Sequence, residues 1–123
     1  METQQNLYFE TTSTIERKSS SLVFEQLLNE TINNVFSLLG PVCKQNIYDY
    51  LETKYKLKKD DIADHMREFS RALEQTFGNG AALLEIQIMK RLYRKVPEFK
   101  HRSEGTLTFP DYVHALSQFF SNR

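Results

Sequence analysis

Apolar residues recur at three- and four-residue intervals in five windows of this chain, the spacing of one face of an α-helix. In the first window Leu28, Ile32, Val35 and Leu39 share a face, and Ser21 is placed to cap a helix running to about Leu39. Gly40 and Pro41 then mark a stop and a restart, since glycine tolerates the backbone past a helix end and proline suits a first helical turn. The second window, about Val42 to Lys56, carries Ile47, Leu51 and Tyr55 on one stripe with Tyr50 beside it. After the polar break "KLKKDD", Ile62, Met66, Phe69, Leu73 and Phe77 mark a third helix, with Asp60 or Asp64 as its cap.

The fourth window, about Gly80 to Val96, is the most apolar. Leu84, Ile88 and Leu92 form a line, and Leu83, Ile86, Met89 and Tyr93 widen it into an arc. An arc that wide predicts contact with several neighbours and a central place in the fold. Pro97 ends this helix, and residues 98–107 read as a loop. Thr108 is then a cap for the last helix, with Pro110 early in the first turn, Asp111 three residues after the cap, and Phe109, Val113, Leu116 and Phe120 on one face. Five helices and no convincing strand predict an all-α fold, a compact bundle of about five helices with a flexible N-terminal tail. The Ser-, Thr- and Gln-rich residues 1–20 read as that tail. Within it, "QNLYFE" resembles an engineered protease site with its first and last residues exchanged. Residues 21–123 read as one helical domain, divided into a core over 21–96 and a C-terminal loop and helix over 97–123.

Composition adds compartment and charge to this picture. The single cysteine, Cys43, cannot form an internal disulfide, which points to a reducing, cytoplasmic setting. No apolar run approaches the roughly 18 residues of a membrane span, and the N-terminus lacks a signal-peptide pattern, so a soluble protein without a membrane partner is expected. Sixteen basic and sixteen acidic residues cancel globally. Locally they do not: residues 60–85 hold six acidic against two basic side chains, and residues 86–102 hold six basic against one acidic.

Most candidate chemistry fails on residue type or spacing. The glycine pair in "FGNGAALLE" raises a phosphate-binding loop, but the element before it is helical, no Lys-Ser or Lys-Thr follows, and Glu85 would repel a phosphate. Gly78 and Gly80 therefore read as a structural corner: Gly78 ends one helix in a left-handed conformation, Gly80 allows a close start to the next, and Phe77 and Leu84 belong to the core. "KHRSEGTLTFPDY" resembles the latter half of a calcium loop, with Gly105 at the turn, Leu107 at the apolar position and Asp111 at the final carboxylate. Its earlier ligand positions fall on Lys100, Arg102 and Glu104, and two cations there exclude calcium. His65, His101, His114 and Cys43 lack the short spacings of metal or nucleophile sites, and Asp60 and Asp61 suit a polar turn. No catalytic, cofactor-binding or metal residue is assigned, and no cofactor is implied.

Basic residues give the one surface candidate. Lys54, Lys58 and Lys59, with Lys56 among them, form one cluster, and Lys90, Arg91, Arg94 and Lys95 form another, where they also complement a helix dipole. Tyr48, Tyr50, Tyr55 and Tyr93 interleave with them, which would suit base stacking in a nucleic-acid-binding domain. Zero net charge favours instead a solvated face, or neutralisation by the acidic third helix.

The ordered motifs Gly40, then Lys44, Gln45, Ile47 and Tyr48, then Lys58 to Asp61, Ala72 to Glu74, Phe77 to Ala81, and Leu92 with Tyr93 resemble those of a small archaeal family, the Nitrosopumilus output domains. The resemblance covers about residues 28–96; a proline frequent near position 64 of that family is absent here, where the chain reads "IADH". It implies a helical signal-transduction output or protein-interaction module of an archaeal cytoplasm, and it brings no catalytic residues. A non-enzymatic module that binds a protein partner or itself is the leading expectation, and nucleic-acid binding through residues 54–59 and 90–95 the alternative. Nine Phe and six Tyr exceed the needs of a small core, which predicts that some form an exposed patch.

Overall fold

The structure is a computed structural model that describes residues 22–99 and 108–122. Within them the chain is helical, with no strand. Helix α1 spans residues 22–37, α2 Pro41–Tyr55, α3 Met66–Phe77, α4 Gly80–Lys95 and α5 Phe109–Ser121, and a short 3-10 helix, Lys59–Asp64, precedes α3. The all-α bundle expected from the periodicity is what forms. The expected tail, the Ser21 cap and most of the calcium-like loop, including Gly105 and Leu107, lie outside the described residues.

Local chemistry accounts for the helix ends. Pro41 opens α2 as expected. At its other end Lys56 adopts a left-handed conformation, its N–H bonding to Glu52 O and the Leu57 N–H to Leu51 O, each at 3.1 Å. That pair closes the last turn and turns Leu57 into the core. The Thr108 hydroxyl accepts from the Asp111 N–H at 3.3 Å and caps α5, as its sequence position predicts. The start of α3 departs from expectation: neither Asp60 nor Asp64 caps it. Asp60 and Asp61 enter the 3-10 helix, and His65 occupies the position before Met66 without a side-chain cap.

The core is a single cluster to which all five α-helices contribute. A chain of rings links four of them: Tyr48 of α2 meets Phe36 of α1, Phe36 meets Phe69 of α3, and Phe69 meets Phe109 of α5, at centroid distances of 5.4, 6.2 and 6.3 Å. At the far end of α1, Phe24 meets Phe120 of α5 at 5.3 Å. The phenylalanines among the described residues are buried or half-buried and fill the core, while of the tyrosines Tyr50 and Tyr93 are exposed. The C-terminal helix closes this same core through Phe109, Tyr112, Val113, Leu116 and Phe120.

Two expectations about helix faces are corrected. Leu39 lies beyond the end of α1 and is exposed, because the chain has already turned toward Gly40. In α4 the fully inward line is Ala81, Glu85, Ile88 and Leu92, while Leu84 is half-buried and Leu83, Ile86 and Tyr93 face out. The hub of the bundle is accordingly α3, which touches α2, the 3-10 helix, α4 and α5. Helix α4 gives only part of its apolar arc to its neighbours.

Candidate functional site

The Phe77–Ala81 corner joins α3 to α4. Gly78 has φ 57° and ψ −125°, so the positive φ is as expected but the conformation is not the left-handed helical one. It lies in the mirror image of the extended region, which is open to glycine and closed to side chains. Gly80 is less constrained than expected: a Cβ there would meet Phe77 Cβ at 3.6 Å, an ordinary contact. Phe77 and Leu84 are half-buried against the core rather than inside it.

A shallow depression beside this corner is lined by Glu74, Gly78, Asn79, Ala82 and Glu85. Two carboxylates on its walls make it hostile to phosphate. Glu85 is only 9% exposed and accepts a 2.5 Å hydrogen bond from Ser70 Oγ of α3. Burial pushes its carboxyl above the ordinary carboxylate value and nearby Glu74 adds to this, while the Ser70 hydrogen bond acts the other way. A second cleft, of about 250 Å³, lies between the start of α3 and α5, where Asp64, Arg67, Glu68, Asp111 and His114 rim a floor that includes Phe24, Met66 and Val113. Arg67 and Asp111 meet across it at 3.7 Å, both largely solvated.

The histidines and the cysteine do not converge. His65 Nδ1 lies 3.0 Å from the Asp61 carbonyl, a contact that raises its pKa, on the exposed link before α3. His114 is on α5, Cys43 is half-buried on α2, and His101 lies outside the described residues. Among the described residues no three metal-ligating side chains gather, and no helix is long and apolar enough to cross a membrane.

The seven basic candidates divide into two environments. The Lys54 ammonium donates to Tyr50 Oη at 2.8 Å and sits 5.3 and 5.7 Å from the Tyr50 and Tyr55 ring centres. The Tyr50 hydroxyl raises the Lys54 pKa. Lys59 lies 5.0 Å over the Tyr48 ring and reaches Asn33 Oδ1 of α1 at 3.4 Å. Burial pushes the Tyr48 phenol up to about 12. Lys58 is exposed ahead of the 3-10 helix. In this cluster tyrosine faces are held by the protein's own lysines, which competes with stacking on bases.

On α4, Lys90, Arg94 and Lys95 are exposed and Arg91 is half-buried. Lys95 Nζ reaches Thr31 Oγ1 of α1 at 3.4 Å. Thr31 and Asn33 are two residues apart on one helix, hence about 200° apart around its axis. Lys95 and Lys59 therefore approach opposite flanks of α1, and the two clusters do not merge into one patch. Among the described residues no ion pair joins any of the seven to the acidic side chains of α3; the pair present is Arg67 with Asp111.

Sequence reading missed what surrounds the second cluster. Leu83, Ile86 and Tyr93 are 69%, 42% and 55% exposed on the outward face of α4, with Lys90 between them. Beside them a groove of about 270 Å³ is lined by Met89, Lys90, Tyr93 and Arg94 of α4 and by Tyr112 of α5. The signal in the sequence is the breadth of the apolar arc, which by itself predicts burial and not exposure. Comparisons of this chain with protein-family models, curated proteins and solved structures found no match.

Proposed function

We propose that this chain is a non-enzymatic helical module that works by presenting the outer face of α4 to a protein partner. The observation that carries the reading is the exposure of Leu83, Ile86 and Tyr93 along one face of a helix whose opposite face is built into the core. Large apolar side chains lined up on a surface have no hydrogen bonds to water to lose and release water when covered, so a partner that buries them gains affinity. The resemblance of the motifs from Gly40 to Tyr93 to those of the Nitrosopumilus output domains is what suggests a signalling output role in an archaeal cytoplasm. Nucleic-acid binding is the weaker reading, because the two basic clusters flank α1 on opposite sides and the tyrosines of one are engaged by Lys54 and Lys59.

The test is photo-cross-linking from position 86, with position 45 on α2 as the exposed polar control, followed by purification of the adducted protein and titration against the full chain. Leu83→Ser with Ile86→Ser is expected to weaken that affinity strongly while leaving the fold intact by circular dichroism. An affinity unchanged by the double substitution overturns the reading.

A further inference from the structure

We infer that the partner segment is an acidic amphipathic helix seated on the outer face of α4, a deduction that rests on the protein-binding reading above. The argument begins with charge. The lone carboxylate of α4 is Glu85, and it is turned inward against Ser70, so the outward face carries Lys90 and Arg94 with no acid among them, while Lys95 turns toward Thr31 of α1. Among the described residues these cations form no ion pair. A partner lying on this face meets a positive border along the C-terminal half of the helix, and carboxylates on its flanks there lower the energy of association and speed encounter.

Shape supplies the rest. From Leu83 to Tyr93 the stripe runs ten residues, about 15 Å at the helical rise, which matches about three turns of a partner helix. Anchors spaced three and four residues apart on such a helix would cover Leu83 and Ile86 and place one side chain in the groove between Met89, Tyr93 and Tyr112. The second wall of that groove comes from α5, a feature that a side chain enters and a bilayer does not use.

A second copy of this chain fits less well. Two α4 faces placed together bring Lys90 and Arg94 of both copies to an interface to which α4 supplies no exposed acid. The outer face of α3, with Arg67, Glu68, Arg71, Glu74, Gln75 and Thr76 exposed, sets two arginines against its two glutamates and has no apolar side chain to cover Leu83.

The experiment uses the full chain and two synthetic peptides of about 18 residues, long enough for the stripe, that share one leucine face and differ only in carrying glutamate or lysine on its flanks. Fluorescence anisotropy is expected to show the glutamate peptide binding about tenfold or more tightly than the lysine peptide, and that preference is expected to vanish in Lys90→Glu with Arg94→Glu. Equal affinity for the two peptides, no binding of the glutamate peptide, or a preference that survives the charge reversal overturns the inference. So does tighter binding to phosphatidylserine vesicles than to the glutamate peptide, or a dimer in sedimentation equilibrium that Leu83→Ser dissolves. The two readings fail separately. If both peptides bind equally and Leu83→Ser with Ile86→Ser abolishes both, the protein-binding face stands and its acidic preference falls; if that variant changes neither, both fall.

Discussion

Helices α3 and α4 are neighbours joined by Gly78 and Asn79 alone, yet they are built differently. Helix α3 is two-sided: Met66, Phe69, Ser70, Ala72 and Leu73 are buried, and Arg67, Glu68, Arg71, Glu74, Gln75 and Thr76 are exposed. Helix α4 is apolar on both sides, with Ala81, Ile88 and Leu92 inside and Leu83, Ile86 and Tyr93 outside. A helix whose outer face is polar has finished its work when the bundle forms. One that keeps leucine and isoleucine in water has an apolar face uncovered, with Lys90 and Arg94 at its C-terminal half.

The largest effects separate inner faces from outer ones. Phe69→Ala removes the ring shared by Phe36 and Phe109, and about 3–5 kcal/mol of stability is expected to go with it. Ile88→Ala on the inner line of α4 is expected to cost about 2–5 kcal/mol. Chemical denaturation measures both, and a cost near zero at Ile88 would mean that the inward line of α4 has been misplaced.

The corner between the helices comes next. Gly78→Val forces a β-branched side chain into a backbone conformation that glycine alone adopts easily, and about 1–3 kcal/mol of destabilisation is expected. Gly80→Ala is expected to be neutral or to stabilise by about 0.4–1 kcal/mol, because its φ is not positive, there is room for a Cβ, and alanine reduces the freedom of the unfolded chain. Equal effects at the two glycines would erase the distinction drawn between them.

The buried contact between the two helices is sensitive to pH. Glu85 has a folded-state pKa raised above 4.5, so the folded chain holds its proton where the unfolded chain has lost it. Its contribution is therefore fully favourable below about pH 4.5 and is lost as pH rises through the raised value. Glu85→Gln keeps an acceptor for Ser70 and removes the titration. Thermal melts are expected to place the variant at or above the wild type at pH 7, with its gain shrinking as pH falls toward 4.5. A gain that grows on acidification would contradict the sign of this linkage.

Smallest are the outer faces. Arg67→Ala breaks a solvated ion pair and is expected to cost less than about 0.5 kcal/mol. Leu83→Ser is expected to change stability by no more than about 0.5 kcal/mol in either direction while weakening partner binding. Large destabilisation by Leu83→Ser would make that side chain part of the core and remove the contrast between α3 and α4.

Much of this architecture was legible along the chain. Periodicity located five helices, proline at position 41 and threonine at 108 marked two starts, and the positive φ of Gly78 followed from its place after an apolar helix. These are local matters, decided by spacing and by the backbone preferences of a few residues. The rotation of α4 about its own axis was not. When leucine, isoleucine, methionine and tyrosine cover more than half of a helix, the pattern has no unique phase, and the neighbours decide which side turns in. Here Ser70 of α3 binds Glu85, Ala81 is buried, Met89 lines a groove with Tyr112 of α5, and Leu83 and Ile86 are left outside. The sequence by itself determined the helices and their ends, because those energies are local. Only the tertiary structure decided which apolar face stays in water and that the two basic clusters lie on opposite flanks of α1, because burial is settled between elements and not within them.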